Sequence, residues 1–477
     1  MQDTQTLKST KLGTMPIGKL ILTMSGPAIL SMLVQALYNI IDSIFVGNYD
    51  PTNGMLALNY AMPMQLLINA FAIGIAVGTG SLISRLLGER RNDDASLAAQ
   101  TGILLALLMS VIFAIIGYFV SDAFISAYTK SAASLQPNAA DWQKVYEMGA
   151  SYLTICTCCS FGMLIEITLN RILQSMGNMV VPMITQIVGA VTNIILDPIL
   201  ISVANMGAPG AAVATVIGQL VAMSIPIIVI LRKKWDIQIF FTKKFRVKKR
   251  ILLDILRVGL PTVIMNSIGS IMYMVSNFIL NAFEDATWAF GAYFKLQSFA
   301  FMPVFGLNQG CIPIFGYNYG ANNKPRFIKT FKIALLLAFI YMMFALIIFH
   351  SMPEIILKLF SPDTQHKVEV GAEALRLCAT AFIPASISVI LVAMFNSVGH
   401  GIKAMLISLL RQLCILLPLG YVLCTFTPLQ LTGFWAAFPI AEAIAALIFF
   451  PIALATIRKI FMLKSQPEYV RMEICNA

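Results

Sequence analysis

Charge is scarce in this chain. Asp, Glu, Lys and Arg make up 12% of its 477 residues, about half the share of an ordinary soluble domain. That deficit excludes a fold whose whole surface faces water. Histidine is scarcer still: His350, His366 and His400 are the only three, all near the ends of apolar runs. No His-Glu-x-x-His and no phosphate-binding loop with its lysine occurs, which leaves an intramembrane enzyme without the usual metal set or nucleotide cradle. No cofactor is expected. The eight cysteines offer no disulfide framework, since seven lie within apolar runs and Cys475 is in the C-terminal tail. Within Cys156-x-Cys158-Cys159, residues two apart point to different faces of a helix, so the cluster reads as small packing residues.

What is abundant is apolar surface. Hydrophobic residues are 58% of the chain, gathered into runs long enough to cross a bilayer, about 20 residues each. Twelve are read, from 18–46 to 431–457, with the fourth at 147–170, the fifth at 179–203, the tenth at 371–397 and the eleventh at 403–426. In lipid a helix satisfies its own backbone groups, whereas a barrel shows short alternating strands. The fold class is therefore an all-α membrane protein. The first run is too long for a cleavable leader and is expected to remain as a span.

The formal charge of +11 suggests nucleic acid until its placement is considered. Counted over alternate connections, one side holds Arg85, Arg90, Arg91, Lys324, Arg326, both termini and the run from Arg232 to Arg250. The other side has only Lys130, Lys144, Lys358 and Lys367. This is the positive-inside bias. It places both termini in the cytoplasm of a multi-pass protein of the cytoplasmic membrane and makes a nucleic-acid partner unnecessary.

The sequence also repeats. Gly74-x-x-x-Gly78-x9-Gly88 recurs as Gly306-x-x-x-Gly310-x9-Gly320 at an offset of 232. Pro27 pairs with Pro261, Cys156 with Cys378, and Gln174-Ser175-Met176-Gly177 with Asn396-Ser397-Val398-Gly399. Six spans per half make the repeats parallel, which implies two pseudo-symmetric six-helix bundles around a central cleft. The expected lobes are 1–231 and 251–477, with 232–250 a basic cytoplasmic linker and the end of the chain a cytoplasmic tail. Small residues four apart allow close helix approach; Gly88 and Gly320 also sit where a C-terminal cap is expected.

A charge inside a span is expensive and marks a candidate site. Asp197 follows Asn193 by four residues, so both project from one face of the fifth span. A carboxylate beside an amide oxygen suits a proton or Na⁺, and Asp42 and Thr215 are placed to complete the set. The second half has Ser276, Leu413 and Leu417 at the equivalent positions, so any such site belongs to the first half. Glu166, Lys295 and Glu442 are further mid-span charges, read either as substrate contacts or as internal ion pairs. The many methionines and phenylalanines suit adaptable surfaces and organic cations.

Six stretches carry a family resemblance: 38–47 (YNIIDSIFVG), 171–178 (RILQSMGN), 193–198 (NIILDP), 210–215 (GAAVAT), 303–321 (PVFGLNQGCIPIFGYNYGA) and 433–442 (GFWAAFPIAE). The chain resembles multidrug and toxic compound extrusion (MATE) transporters, most of all their MepA-type branch. The resemblance implies export of small hydrophobic or cationic compounds against inward H⁺ or Na⁺ by a monomer among membrane lipids. It also implies a cation site at Asp42, Asn193, Asp197 and Thr215. Some branches carry carboxylates in the seventh and tenth spans; here 258–280 and 374–397 have none. The alternative within the same superfamily is a flippase for a lipid-linked precursor, which usually wants a more basic cavity.

Overall fold

The computed structural model describes residues 10–50, 53–135, 141–240, 246–358 and 364–464. Among these, every regular element is a helix. In the first half α1 is Ile17–Tyr49, α2 Asn53–Gly88, α3 Asn92–Leu135, α4 Trp142–Cys158, α5 Phe161–Ser175, α6 Val180–Asp197 and α7 Ala208–Arg232. In the second half α8 is Lys249–Leu280, α9 Ala286–Gly320, α10 Lys324–Ser351, α11 Gln365–Ala379, α12 Phe382–Ser397, α13 Gly401–Leu409, α14 Leu417–Phe426 and α15 Gln430–Lys464. Ten spans are long and apolar enough to cross a membrane by themselves. Two bent pairs, α4 with α5 at 43° and α11 with α12 at 51°, bring the crossings to twelve.

The irregularities obey the repeat. The bent pairs are the fourth and tenth spans, and the fifth and eleventh each contain a π-helical segment, Pro198–Val203 and Leu410–Leu416. A proline stands at or just beyond each segment. Pro198 and Pro418 lack the N–H that would bond the carbonyl four residues earlier, and a widened turn is one way a helix absorbs that loss. The bends also have a local cause. Their breaks fall at Cys159–Ser160 and Thr380–Ala381, where the helices end.

The repeated glycines are contact points. A Cβ on Gly78 would lie 2.3 Å from the carbonyl oxygen of Ile255, and one on Gly310 would lie 2.8 Å from the backbone nitrogen of Ser25. Gly88 and Gly320 face each other: a Cβ on the first would meet the Tyr317 carbonyl oxygen at 2.1 Å, and on the second the Arg85 carbonyl oxygen at 2.1 Å. Neither has the left-handed backbone of a cap; Arg90 and Asn322, two residues later, take it instead. The capping expectation is thus corrected: these positions are glycine because two backbones touch. Gly177 and Gly399, the other repeated pair, do require it, at φ 84° and 86°.

The chain forms two compact units. One comprises Met1–Ile29, Ser84–Arg91 and Ile264–Ala477, the other Leu30–Ile83 and Asn92–Val263. The start of α1 therefore belongs with the second-half helices, and the start of α8 with the first-half helices. The glycines are the physical reason: α9 closes on Ser25 and Ile29, while α2 closes on Ile255 and Gly259. We expect Gly88→Ala or Gly320→Ala to destabilise the protein by about 1–3 kcal/mol through overpacking. Gly26→Ala, with nothing within 4 Å of the added methyl, should be neutral or slightly stabilising. Thermal unfolding in detergent checks this; equal melting temperatures for Gly88→Ala and Gly26→Ala would refute the contact.

Two polar tethers set the ends of the first-half helices. The basic connection is strapped to α3: Gln100 Nε2 donates to the carbonyl oxygens of Gln238 (3.2 Å) and Phe240 (2.9 Å), and Lys248 pairs with Asp94 at 2.9 Å. Near the opposite end of the bundle, Asp50 accepts from the Asn53 backbone (2.8 Å) and from Lys144 Nζ (2.6 Å). Burial pushes the Asp50 carboxyl up, but the bonds from Lys144 and Asn53 outweigh it and hold the pKa at about 2. Because the folded value is depressed, the tether contributes stability above the ordinary carboxylate range and loses it as pH falls through about 2.

Candidate cation site and its chamber

Asn193 and Asp197 lie one turn apart on α6, 2% and 0% exposed. Asn193 Nδ2 donates to Asp197 Oδ1 at 3.2 Å and to Thr215 Oγ1 on α7 at 3.4 Å. Two glycines make that second contact possible. A Cβ on Gly218 would stand 3.0 Å from the Gly189 carbonyl oxygen, so α6 and α7 approach at backbone distance and bring a short Thr within reach. The geometry also polarises the amide. Its donor side is committed to the carboxylate and the hydroxyl, and its Oδ1 is buried with no hydrogen-bond partner among the described residues. An amide oxygen left open beside a carboxylate and a hydroxyl is a hard-oxygen set of the kind that accepts Na⁺ or supports a proton on the carboxylate. Three of the four expected residues are thus together. Asp42 is on α1, but its side chain lies outside the described residues.

Glu166 joins this site through shared space. It is 8% exposed on α5 and accepts a hydrogen bond from Asn170 Nδ2 at 3.2 Å. A cavity of about 100 Å³ is lined by Glu166, Asn193 and Thr215 together. A neighbouring cavity of about 340 Å³ shares Gln35, Asn69, Met163, Thr215 and Gln219 with it. The first-half interior is therefore a polar chamber whose wall holds the Asn193–Thr215 pair. The neutral amides Gln35, Gln65, Asn69 and Gln219 line it as well, beyond the mid-span charges and the Asn193–Thr215 pair expected from the sequence. The available signal was simple: an uncharged amide in the middle of an apolar span also requires a partner.

The second-half charges sort differently. Glu442 Oε1 accepts from Arg411 Nη1 at 2.5 Å, both side chains mostly buried. The pair lines a cavity of about 170 Å³ with Phe294, Phe301, Phe305 and Phe438 on its walls. Lys295 is exposed on α9 and is not among the residues lining this cavity, so the mid-span burial expected of it is not found. Of the expected pair, only Glu442 faces the interior, and its partner is an arginine in the π-helical segment. Ser276, which stands where the first half has Asp42, is fully buried with its hydroxyl 3.6 Å from Met272 Sδ.

The MatE family profile matches residues 27–199 and 261–422. The Multidrug export protein MepA of Staphylococcus haemolyticus (strain JCSC1435) is 26% identical over 437 residues, covering 91% of this chain and 92% of that protein. MepA of Staphylococcus saprophyticus is 25% identical over 424 residues, with 89% and 90% covered. Among solved structures, a MATE crystallised in the bent conformation superposes with a TM-score of 0.87 at 25% identity, over 97% of this chain and 100% of that one. An outward-facing multidrug resistance MATE transporter of the MOP superfamily gives 0.87 at 24%, over 96% and 99%.

Proposed function

The chain belongs to the MatE family of membrane transporters, and from that premise we propose that it is a cation-coupled antiporter exporting hydrophobic, often cationic compounds across a bacterial cytoplasmic membrane. The observation that supports this most is the Asn193–Asp197–Thr215 cluster on the wall of a polar chamber that also contains Glu166. A cation or proton at Asp197 and a cationic guest near Glu166 would draw on one negative potential, so each disfavours the other, which is the condition for exchange. Lobes 1–231 and 251–477, joined by 232–250, are the repeated halves; the bodies taken to alternate are the two compact units, which exchange the starts of α1 and α8 between those halves. Glu442 and Lys295 are assigned to substrate contact, Glu442 through the aromatic-walled cavity. A flippase reading is less well supported, because the first-half chamber offers an acid where a pyrophosphate needs cations.

The test is ethidium transport into everted vesicles, the direction of export in cells, with ΔpH and the Na⁺ gradient collapsed separately. Collapse of one gradient should stop transport and identify the coupling ion; transport that survives collapse of both would overturn the proposal. Orientation is checked by Cys475 and by a tag near Lys244, positions outside the described residues. Both should be inaccessible to impermeant reagents in intact cells, and labelling of Cys475 from outside would reverse the topology.

Glu166→Gln separates substrate binding from coupling. It keeps shape and hydrogen bonding to Asn170 but removes the charge, so export of cationic dyes should fall on the order of tenfold while neutral compounds are little affected. Initial efflux rates for a matched cationic and neutral pair decide it. An equal loss for both would place Glu166 in the coupling network.

A further inference from the structure

A groove among the second-half helices combines three cations with an apolar floor. It lies between the start of α10 and the end of α15, with a volume of about 330 Å³. Lys324 and Arg458 line its helix-end side, Lys332 lies two turns further along α10 beside Phe331, about 12 Å in, and Phe331, Phe450 and Leu454 form its apolar part. The spacing is helical on both sides. Lys324, Ile328, Phe331, Lys332 and Leu335 share one face of α10, and Phe450, Leu454, Ile457 and Arg458 share one face of α15. The floor is fixed by the Phe331 and Phe450 rings, whose planes are 25° apart with centroids at 6.3 Å. No acid lines the groove, and the three cations have no ion pair or hydrogen bond among the described residues.

The geometry points to a binding site for an anionic phospholipid, with its phosphate on Lys324 and Arg458, Lys332 snorkelling toward it from two turns further in, and an acyl chain along Phe331, Leu335, Phe450 and Leu454. Two features select this occupant. Phe450 is eight residues before Arg458, about 12 Å deeper along the helix, which matches the step from a headgroup into the hydrocarbon. The rim sits at the Lys/Arg-rich ends of its helices, where basic pockets between spans meet anionic headgroups. A cationic drug would be repelled by the rim, and a free phosphate leaves the floor uncovered. The site does not depend on the export reading, because no residue in it belongs to the chamber.

The test uses the purified full-length protein in neutral detergent, with retained lipid measured by native mass spectrometry. Phosphatidylglycerol and phosphatidylcholine with the same acyl chains are the probes, and inorganic phosphate is the competitor. We expect one phosphatidylglycerol per chain, held roughly a hundredfold more tightly than phosphatidylcholine, on the order of fivefold for each cation. The triple variant Lys324→Gln, Lys332→Gln, Arg458→Gln should remove that preference. Single Lys332→Gln should lower it about fivefold, which keeps the test open if the triple variant expresses poorly. Leu335→Trp, which fills the floor and leaves every cation in place, should release the lipid. Equal retention of both lipids, or full displacement by millimolar phosphate, would overturn the assignment. Neither result would bear on drug export, which this assay does not read.

Discussion

Asp197→Asn should reduce efflux to the level of vesicles lacking the transporter, with insertion and melting temperature unchanged. The substitution preserves volume and an oxygen acceptor for Asn193 Nδ2, so the 3.2 Å contact can persist. It removes the one charge in the described cluster, and with it the means of holding a proton or balancing Na⁺. Stability should not fall, because a carboxylate with 0% exposure is costly to keep ionised away from water. Function and stability thus separate, which identifies a residue retained for coupling. Asp42→Asn should behave alike. The measurements are the initial rate of dye efflux and thermal unfolding of the same preparation. A wild-type rate in Asp197→Asn would return the cluster to a structural role.

The second large effect is on stability. Arg411→Leu should destabilise the protein by about 3–5 kcal/mol, because it leaves Glu442 without its partner in a mostly buried position. The double variant Arg411→Met, Glu442→Met should recover most of that loss, since replacing both members of a buried pair with apolar residues is often neutral or better. Among the described residues Glu442 Oε2 and Arg411 Nε have no hydrogen-bond partner, so within them the pair is incompletely satisfied. That incompleteness fits a place beside a cavity, where a guest can supply the missing bonds. Thermal unfolding of wild type and the two variants checks this; an Arg411→Leu variant as stable as wild type would show that Glu442 is solvated.

How much of the site was legible varies residue by residue. Asn193 and Asp197 were, because a spacing of four fixes a common helix face before any packing is known. Thr215 was a candidate from the sequence only on the condition that the helices close up; its contact depends on Gly189 and Gly218 letting two backbones close. Lys295 and Glu442 looked alike in the sequence as mid-span charges. Packing separated them, leaving Lys295 exposed and pairing Glu442 with Arg411. Glu166 was visible as a charge, but its sharing of a cavity with Asn193 was not.

The sequence by itself determined that this chain is a membrane protein of twelve apolar helices in two related halves, with its cations gathered on one side. Lipid enforces those features one segment at a time: every crossing must be long, apolar and helical, whatever its neighbours do. Only the tertiary structure decided which helices touch, that α1 and α8 each begin in the other half's unit, where two spans bend, and which charges meet. Once every helix is apolar all round, hydrophobic patterning no longer selects a partner. The choice passes to glycine contacts, proline-widened turns and buried hydrogen bonds, all of which depend on atoms far apart in the chain.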